Sequence, residues 1–271
     1  MDGKSWVLFN ASPDIRQQMA STAPLQPRSD GPPRHTPIAA TILTNADVDH
    51  IAGLLSLRER QPFILYATSR VLKTLQDNSI FQVLDPAYVE RRELPLQGAL
   101  AIEGPEGPLG LSVETFVVPG KVALFLEDKK TDDGNFGTQE GDTIGVKITA
   151  TAGGEIGSEK TLFYIPGCAR VNDELRARLE GASCLLFDGT VFTDAEMQET
   201  GVGEKTGARM GHIALSGPNG SIKALSQTTI GRRVFVHINN TNPILAPDSE
   251  AAQTVMDANW EISHDGMEIE L

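Results

Sequence analysis

Carboxylate and imidazole side chains crowd into a short stretch near the N-terminus. The stretch follows an apolar run at 38–43 and precedes a helix-like stretch, and it contains Asn45, Asp47, Asp49 and His50. This order predicts a strand-to-helix junction, where sites of α/β proteins collect. Carboxylates and imidazoles are good ligands for zinc, iron or manganese, which favours a metal site. The alternative interpretation is that Asp49 caps the helix and its neighbours are solvated.

Two later strand ends carry the same chemistry. Asp188 follows a predicted strand at 184–187, and His237 lies near the end of a predicted strand at 233–238. If the strands lie side by side, four side chains converge on one ion and leave room for substrate or water: Asp49, His50, Asp188 and His237.

Further polar residues surround these strand ends. His212 follows a Gly-rich loop at 201–207 and is a candidate acid–base or substrate-contacting group, although a lone histidine is more often structural. The candidate substrate-binding residues, which would supply cations and amides to a ligand with carboxylates, are Lys121, Lys205, Thr206, Asn239 and Asn240. For each, the alternative is a solvated loop residue. His35 is expected to be exposed and His264 to mark a turn.

The composition bounds the class of protein. The chain has 271 residues, of which 40% are hydrophobic and 22% charged, so it is globular and long enough for one large domain or two small ones. A net charge of -13 disfavours nucleic acid and anionic membranes as partners and fits a protein that handles a small molecule. No apolar run could span a bilayer, no signal peptide is recognised, and a cytoplasmic location is expected. Cys168 and Cys184 are expected to be buried free thiols.

The order of predicted elements favours an αββα sandwich, because a β-rich middle is flanked by strand–helix alternation. We expect strands at 6–9, 38–43, 63–67, 111–118, 122–127, 143–150, 161–165, 184–187, 233–238 and 267–271. Helices are expected at 51–59, around 71–75, and at 173–179, 194–199, 221–225 and 249–260. The turn-rich segments at 128–135 and 152–158 are expected to be hairpin loops, which makes residues 1–271 a single domain.

The stretch Asn-Ala-Asp-Val-Asp-His at 45–50 resembles a degenerate form of the His-x-His-x-Asp-His motif of the metallo-β-lactamase superfamily. More narrowly, the chain resembles the pyrroloquinoline quinone (PQQ) biosynthesis protein B family. The specific stretch is His-Ile-Asn-Asn-Thr-Asn-Pro at 237–243, and similar segments lie at 10–16, 53–59, 201–212 and 264–267. The family usually carries an additional N-terminal zinc-binding segment, and we expect that segment and the first strand to be missing from this chain.

The resemblance implies a single divalent metal. Asp49 and His50 match ligands of the superfamily's second metal position, Asp188 matches the bridging aspartate, and His237 matches the terminal histidine. Asn45 and Asp47 stand where the first position has two histidines, and Lys121 stands near a third. One ion is therefore expected, Fe(II) favoured and Zn(II) possible, with Asp47 an additional ligand or catalytic group.

The resemblance also implies a function in making the cofactor PQQ from a Glu–Tyr pair. The favoured role is an iron-dependent oxygenase that hydroxylates the tyrosine ring. One alternative is a soluble carrier that assists transport of PQQ or its precursor to the periplasm. Another is a metal-dependent hydrolase, against which the missing histidines count. The expected partners are a PQQ precursor and other PQQ biosynthesis proteins.

Overall fold

The computed structural model describes residues 4–28, 31, 35–128, 137–152 and 155–271. The chain divides into two units. The first unit contains Met1–Thr115, Val122–Asp142 and Ala150–Gly157. The second unit contains Phe116–Lys121, Thr143–Thr149 and Ser158–Leu271. Among the described residues, no helix is both long enough and apolar enough to cross a bilayer.

A four-stranded parallel sheet organises the first unit. Its strands lie in the order β1 (Trp6–Phe9), β2 (Ile38–Ile42), β3 (Phe63–Ala67) and β4 (Val89–Glu93). The helices of this unit are α1 (Ile15–Ser21), α2 (Val48–Ile51) and α3 (Ser69–Asp77), with 3₁₀ turns at Ala23–Leu25, Ala52–Leu57, Ser79–Val83 and Leu124–Leu126. Because the strands are parallel, their carboxyl ends share one edge, and α2 begins at that edge.

Capping and burial explain why α3 forms where it does. The Thr68 hydroxyl accepts a hydrogen bond from the N–H of Val71 and so satisfies a donor at the helix start. Val71 and Leu75 are one turn apart and both face the core of the first unit. An antiparallel pair, β5 (Ala99–Gly104) and β6 (Gly107–Val117), follows along the chain, and all of this pair except residues 116–117 belongs to the first unit.

The second unit is built on consecutive parallel strands. In spatial order these are β8 (Glu155–Ile165), β9 (Ala182–Asp188), β10 (Ile230–Val236) and β11 (Glu261–Ile262), and β7 (Ile144–Ala152) neighbours β8. Its helices are α4 (Asp173–Leu179), α5 (Glu196–Glu199), α6 (Gly207–Met210), α7 (Ser221–Ala224) and α8 (Glu250–Asp257), with a 3₁₀ turn at Pro243–Leu245.

Aromatic side chains hold the centre of this second core. Phe235 of β10 stacks on Trp260, with ring centroids 4.1 Å apart and an interplanar angle of 8°. Phe187 of β9 contacts the same indole at 6.3 Å. All three rings are almost completely buried. They fix β9 and β10 beside each other, so that both strands end at the same edge.

Several predicted elements are confirmed. The predicted strands at 6–9, 63–67 and 184–187 and the predicted helix at 173–179 match β1, β3, β9 and α4 within two residues at each end. Both cysteines are buried and free. The predicted strand at 233–238 ends earlier, at Val236, because His237 has a φ of 55° and leaves the extended conformation.

Other predicted elements are wrong. The strand predicted at 122–127 is a 3₁₀ turn at Leu124–Leu126. The helix predicted at 51–59 is α-helical only at Ile51, where α2 ends, and continues as a 3₁₀ turn at Ala52–Leu57. A Cβ on Gly53 would lie 2.1 Å from the Ser12 carbonyl oxygen, so this turn packs against the backbone at Ser12. Residues 267–271 form no strand, although their apolar and polar residues alternate, and the last strand described is β11.

The two predicted hairpin loops have different outcomes. Most of the loop at 128–135 lies outside the described residues. The loop at 152–158 is shorter than predicted, because β7 continues to Ala152 and β8 begins at Glu155. The residues between these strand ends, 153–154, lie outside the described residues.

Candidate metal centre

The acidic stretch begins with a local turn in the first unit. The Asn45 side-chain oxygen accepts the N–H of Asp47 at 3.0 Å. Asp47 is the N-cap residue of α2, and one of its carboxylate oxygens accepts the backbone N–H of Leu124 at 3.1 Å. The alternative interpretation, in which Asp49 caps the helix, is therefore wrong, because Asp49 lies inside the first turn.

Asp49 and His50 contact each other within α2 but differ in exposure. His50 Nδ1 lies 3.3 Å from an Asp49 carboxylate oxygen. The imidazole is buried, whereas the side chain of Asp49 is 55% exposed. The pair belongs to the first unit and the other two predicted ligands belong to the second, so their shared ion stays a prediction.

Asp188 occupies the end of β9 with its carboxylate completely buried. One oxygen accepts the backbone N–H and the hydroxyl of Thr190, at 3.1 and 2.6 Å. The other accepts the N–H of Cys168 at 2.8 Å and lies 2.8 Å from Nδ1 of His212. A buried charge is tolerated only when it is paired and hydrogen-bonded in this way.

The Thr190 side chain contacts those of Asp188, His212 and His237. Its hydroxyl oxygen lies 3.0 Å from Nδ1 of His212 and 2.8 Å from Nδ1 of His237. It also lies 3.1 Å from the carbonyl oxygen of His237. A carboxylate can only accept a hydrogen bond, so Nδ1 of His212 donates to Asp188, and Nε2 is the ring nitrogen that remains for a metal ion or a ligand.

The side chains of Asp188, His212 and His237 fit a metal ion. They offer one carboxylate oxygen and two imidazole nitrogens, all within 4.8 Å of one another. The two imidazole rings stack, with centroids 5.3 Å apart and an interplanar angle of 23°. Two histidines and one carboxylate suit ferrous iron in oxygenases, and a histidine–carboxylate set also suits zinc. We refer to these three residues as the Asp188 cluster.

The surroundings shift two pKa values in this region. Burial pushes the pKa of Asp188 upward, but the charges of His212 and His237 and the hydrogen bonds from His212 and Thr190 outweigh it, so the pKa lies below its ordinary value. Burial, with the nearby charge of Asp188, raises the pKa of the Cys168 thiol to about 12. Cys168 is therefore a neutral thiol at physiological pH.

Close backbone packing holds the loops that carry the Asp188 cluster. A Cβ on Gly189 would lie 2.9 Å from the Val236 carbonyl oxygen, so only glycine allows β9 and β10 to approach so closely here. The Asn242 side chain donates to the Gly189 carbonyl at 2.8 Å and accepts from Ile244 N–H at 3.1 Å. The asparagine-rich segment after His237 therefore supports the loop after Asp188.

The predicted substrate-binding residues have varied positions. A Cβ on Gly211, whose φ is 93°, would lie 2.9 Å from Cβ of Lys121, so Lys121 packs beside the residue that precedes His212. Thr206 caps α6 by accepting the N–H of Arg209, and Lys205 is half-buried. The Asn239 side chain donates to the Thr241 hydroxyl at 3.0 Å. Asn240 is exposed.

The two remaining histidines lie outside the cluster. His35 is half-buried, and its Nε2 is shielded from solvent, so the prediction that it is exposed is wrong. His264 is exposed and its carbonyl accepts the N–H of Met267, as a turn predicts.

Sequence reasoning missed two residues of the centre. Thr190 lies two residues after Asp188, and a hydroxyl so close to a strand-end aspartate is the signal that could have identified it. Asn242 lay within the polar run after His237, but its buried position was not evident from the sequence.

Known proteins are similar to this chain over its whole length. A family model described as the beta-lactamase superfamily domain matches residues 5–238. Coenzyme PQQ synthesis protein B of Methylobacterium nodulans is 51% identical over 270 residues, covering 100% of this chain and 85% of that protein. The protein of the same name from Rhizobium meliloti is 47% identical over 272 residues, covering 100% of this chain and 83% of that protein.

The chain belongs to the coenzyme PQQ synthesis protein B family. A crystal structure of Zn(2+)-bound PqqB from Methylobacterium extorquens is 50% identical, covers 100% of this chain and 85% of that chain, and has a TM-score of 0.89. These matches confirm the predicted family and the predicted αββα fold class. Membership supports a role in PQQ biosynthesis.

A more distant match supports the fold alone. A diphosphatase of the PhnP family is 18% identical with a TM-score of 0.63, covering 100% of this chain and 81% of that chain.

Proposed function

We propose that the protein hydroxylates the tyrosine ring of a Glu–Tyr-derived intermediate in PQQ biosynthesis and uses one bound Fe(II) ion. The observation that carries the proposal is the grouping of two imidazoles and one carboxylate in the Asp188 cluster. This donor set is typical of non-haem iron oxygenases. The zinc in the crystal structure of the Methylobacterium extorquens relative supports a divalent metal in this family.

The residues of the centre have separate tasks in this proposal. When bound, Fe(II) supplies the activation of oxygen that no side chain can provide. Asp188 supplies negative charge in a buried setting, and Thr190 contacts Nδ1 of both imidazoles and so orients the two rings. Asp188 is completely buried, so bulk water does not contact its carboxylate.

The ligands predicted in the first unit remain part of the proposal. Asp49 and His50 are proposed as additional ligands because they match the second half of the superfamily motif. Asp47 is proposed as a catalytic group, and one of its oxygens already accepts the N–H of Leu124. Lys121, Lys205, Thr206, Asn239 and Asn240 are proposed to bind the substrate. A cytoplasmic location and association with other PQQ biosynthesis proteins complete the proposal.

The decisive experiment is anaerobic loading of the protein with ferrous iron, followed by oxygen, ascorbate and L-glutamyl-L-tyrosine. Ring hydroxylation places one oxygen atom of O₂ on the substrate and the other in water, and ascorbate provides the two electrons required. We expect mass spectrometry to show a product that has gained one oxygen atom, and zinc-loaded protein to give none. If the dipeptide binds but iron-loaded protein consumes no oxygen, the carrier role replaces the oxygenase role.

Substitution of His212 distinguishes between two roles for this residue, a metal ligand and an acid–base group. The sequence suggests an acid–base role, whereas its distance from Asp188 and His237 suits a ligand. His212→Ala should lower the bound metal, measured by elemental analysis after gel filtration, if His212 is a ligand. An acid–base role predicts unchanged metal with most hydroxylation lost. His264→Ala is the matched control, because His264 is exposed in a turn.

A further inference from the structure

A cavity of about 760 Å³ lies in the second unit with His212 in its wall. Its volume falls within the range of about 300–1,000 Å³ found for small-molecule sites. Among the described residues, His212 is the one sequence-predicted site residue that lines this cavity. The wall therefore joins one member of the Asp188 cluster to residues that the sequence did not single out.

Two arginines also line this cavity, Arg170 and Arg176. The protein carries a net charge of -13, so its general field repels an anionic molecule. Two arginine side chains in the wall of a cavity that also contains His212 would offset this repulsion locally. A guanidinium fork also matches a carboxylate in shape and binds it through two parallel hydrogen bonds.

The segment that carries Arg170 is fixed to the metal centre through its backbone. The N–H of Cys168 donates to Asp188 at 2.8 Å, and the Cys168 carbonyl accepts the N–H of Ile213 at 2.6 Å. Ala169 N–H donates to the Pro119 carbonyl at 2.6 Å. Arg170 therefore follows Cys168, which contacts Asp188 and the neighbour of His212, and Ala169, which contacts Pro119.

Arg176 is held at the same cavity by its own helix. Its guanidinium donates to the Asp173 carboxylate and to the Val171 carbonyl, the latter at 3.5 Å. These contacts use two of the five donors of a guanidinium and limit its rotation. The one acidic residue among the described lining residues, Asp194, accepts the backbone N–H of Ala208 at 2.8 Å.

We propose that Arg170 and Arg176 bind carboxylates of the substrate in this cavity, so that the rest of the substrate reaches His212. The chemical class of ligand is a small amino-acid-derived molecule with more than one carboxylate. The choice of a Glu–Tyr compound as ligand rests on the proposed function. Arg170 and Arg176 are specificity-determining residues in this view.

The test is calorimetric titration of L-glutamyl-L-tyrosine into zinc-loaded protein, because zinc is redox-inactive and allows binding without turnover. Arg170→Gln and Arg176→Gln should each raise the dissociation constant by about 10-fold or more, the effect expected for a lost charge-assisted pair. Arg178→Gln should change it by less than about twofold. Arg178 is a matched control because it lies on the same helix with its guanidinium over the Phe116 ring, 4.8 Å from the centroid.

A lysine variant and a ligand without carboxylates serve as further controls for the arginine substitutions. Arg176→Lys retains a positive charge near Asp173, so it should recover part of the affinity if folding is intact. The diamide L-glutaminyl-L-tyrosinamide lacks carboxylates and should bind equally to wild type and to the glutamine variants. Unchanged affinity in both arginine variants, an equal loss in Arg178→Gln, or no binding of the dipeptide to wild type would overturn the proposal.

The outcomes also separate this proposal from the proposed function. Arginine-dependent binding without hydroxylation by the iron-loaded protein would remove the oxygenase role and leave the cavity assignment standing. Hydroxylation at wild-type efficiency in both glutamine variants would remove the cavity assignment and leave the oxygenase role standing.

Discussion

Thr190 is the residue on which the geometry of the Asp188 cluster depends most. Its hydroxyl lies within 3.1 Å of Asp188, His212 and His237 atoms, so one small side chain sets the orientation of three others. Groups that hold a ligand's other ring nitrogen fix its tautomer and raise its basicity as a ligand. Metal affinity should therefore depend on a hydroxyl that need not itself be a ligand.

Replacement of Thr190 by valine tests this dependence. Thr190→Val keeps the shape but removes the hydroxyl, and we expect metal affinity to fall by about 10- to 100-fold, as for other partners of ligand histidines. The measurement is competition with a metal chelator. Thr190→Ser is the control and should retain most of the affinity, and equal affinity in wild type and Thr190→Val would contradict the prediction.

The buried Cys168 thiol gives a pH dependence of stability. Its pKa is about 12 in the folded protein, against an ordinary value of 9.0. A group whose folded pKa is raised contributes stability that is present below its unfolded pKa and lost as pH rises toward the folded pKa. Between pH 9 and 12 the unfolded thiol ionises while the folded thiol stays protonated, so stability falls.

The measurement is the free energy of unfolding of wild type and Cys168→Ala at several pH values. The difference between them should be constant up to about pH 8 and should shift by roughly 1 kcal/mol against wild type by pH 10. Cys184 is present in both proteins and cancels. A constant difference across this range would show that Cys168 titrates normally.

Among single residues, the sequence predicted those site residues whose type and place at a strand end are visible in the chain. Asp188 and His237 were predicted to meet because each lies at the end of an apolar strand, and the pairing of Val236 with Asp188 confirms that these strands are neighbours. The contribution of Thr190 was not predictable, since it depends on the direction of one hydroxyl within a turn.

At the scale of elements, the glycine between Asp188 and Thr190 controls how β9 meets β10. Gly189 N–H donates to the Val236 carbonyl at 2.7 Å, and the same carbonyl leaves no space for a Cβ. Gly189→Ala should force the two strand ends apart, lower stability by about 1–3 kcal/mol and reduce metal binding. Chemical denaturation and metal analysis measure the two effects.

Gly203→Ala is the matched control for this substitution. The nearest atom to its added Cβ would be 3.5 Å away, on the flexible side chain of Met197, which is an ordinary contact. It should leave stability and metal content nearly unchanged. Comparable losses in both variants would mean that the effect of Gly189→Ala is not specific to the strand contact.

Apolar patterns predicted elements well where a partner strand exists and poorly where it does not. β9 and β3 are continuous buried runs, and both were predicted. The segment 122–127 is equally apolar, but the N–H of Leu124 bonds to the Asp47 carboxylate instead of to a strand. Local hydrophobicity cannot distinguish these cases, because the difference lies in long-range hydrogen bonding.

At the scale of the molecule, the two units each contain one tryptophan. Trp6 lies in β1 of the first unit and Trp260 beside β11 of the second. We predict that the chain unfolds as one cooperative domain. Trp260→Phe leaves Trp6 as the fluorescent probe of the first unit, and Trp6→Phe leaves Trp260 as that of the second. In each variant, the unfolding midpoint measured by fluorescence should equal the midpoint measured by far-UV circular dichroism. Probe-dependent midpoints within either variant would indicate that the units unfold separately.

The turn at Leu124–Leu126 has a practical consequence for handling the protein. Its three side chains are 55%, 46% and 40% exposed, while the turn is attached to Asp47 through a backbone donor. Because that bond needs an N–H and no particular side chain, the turn accepts polar replacements without losing its attachment. Phe125→Ser should therefore raise the ammonium sulfate concentration needed to precipitate the protein. Leu124→Pro would instead remove the N–H that attaches the turn to Asp47.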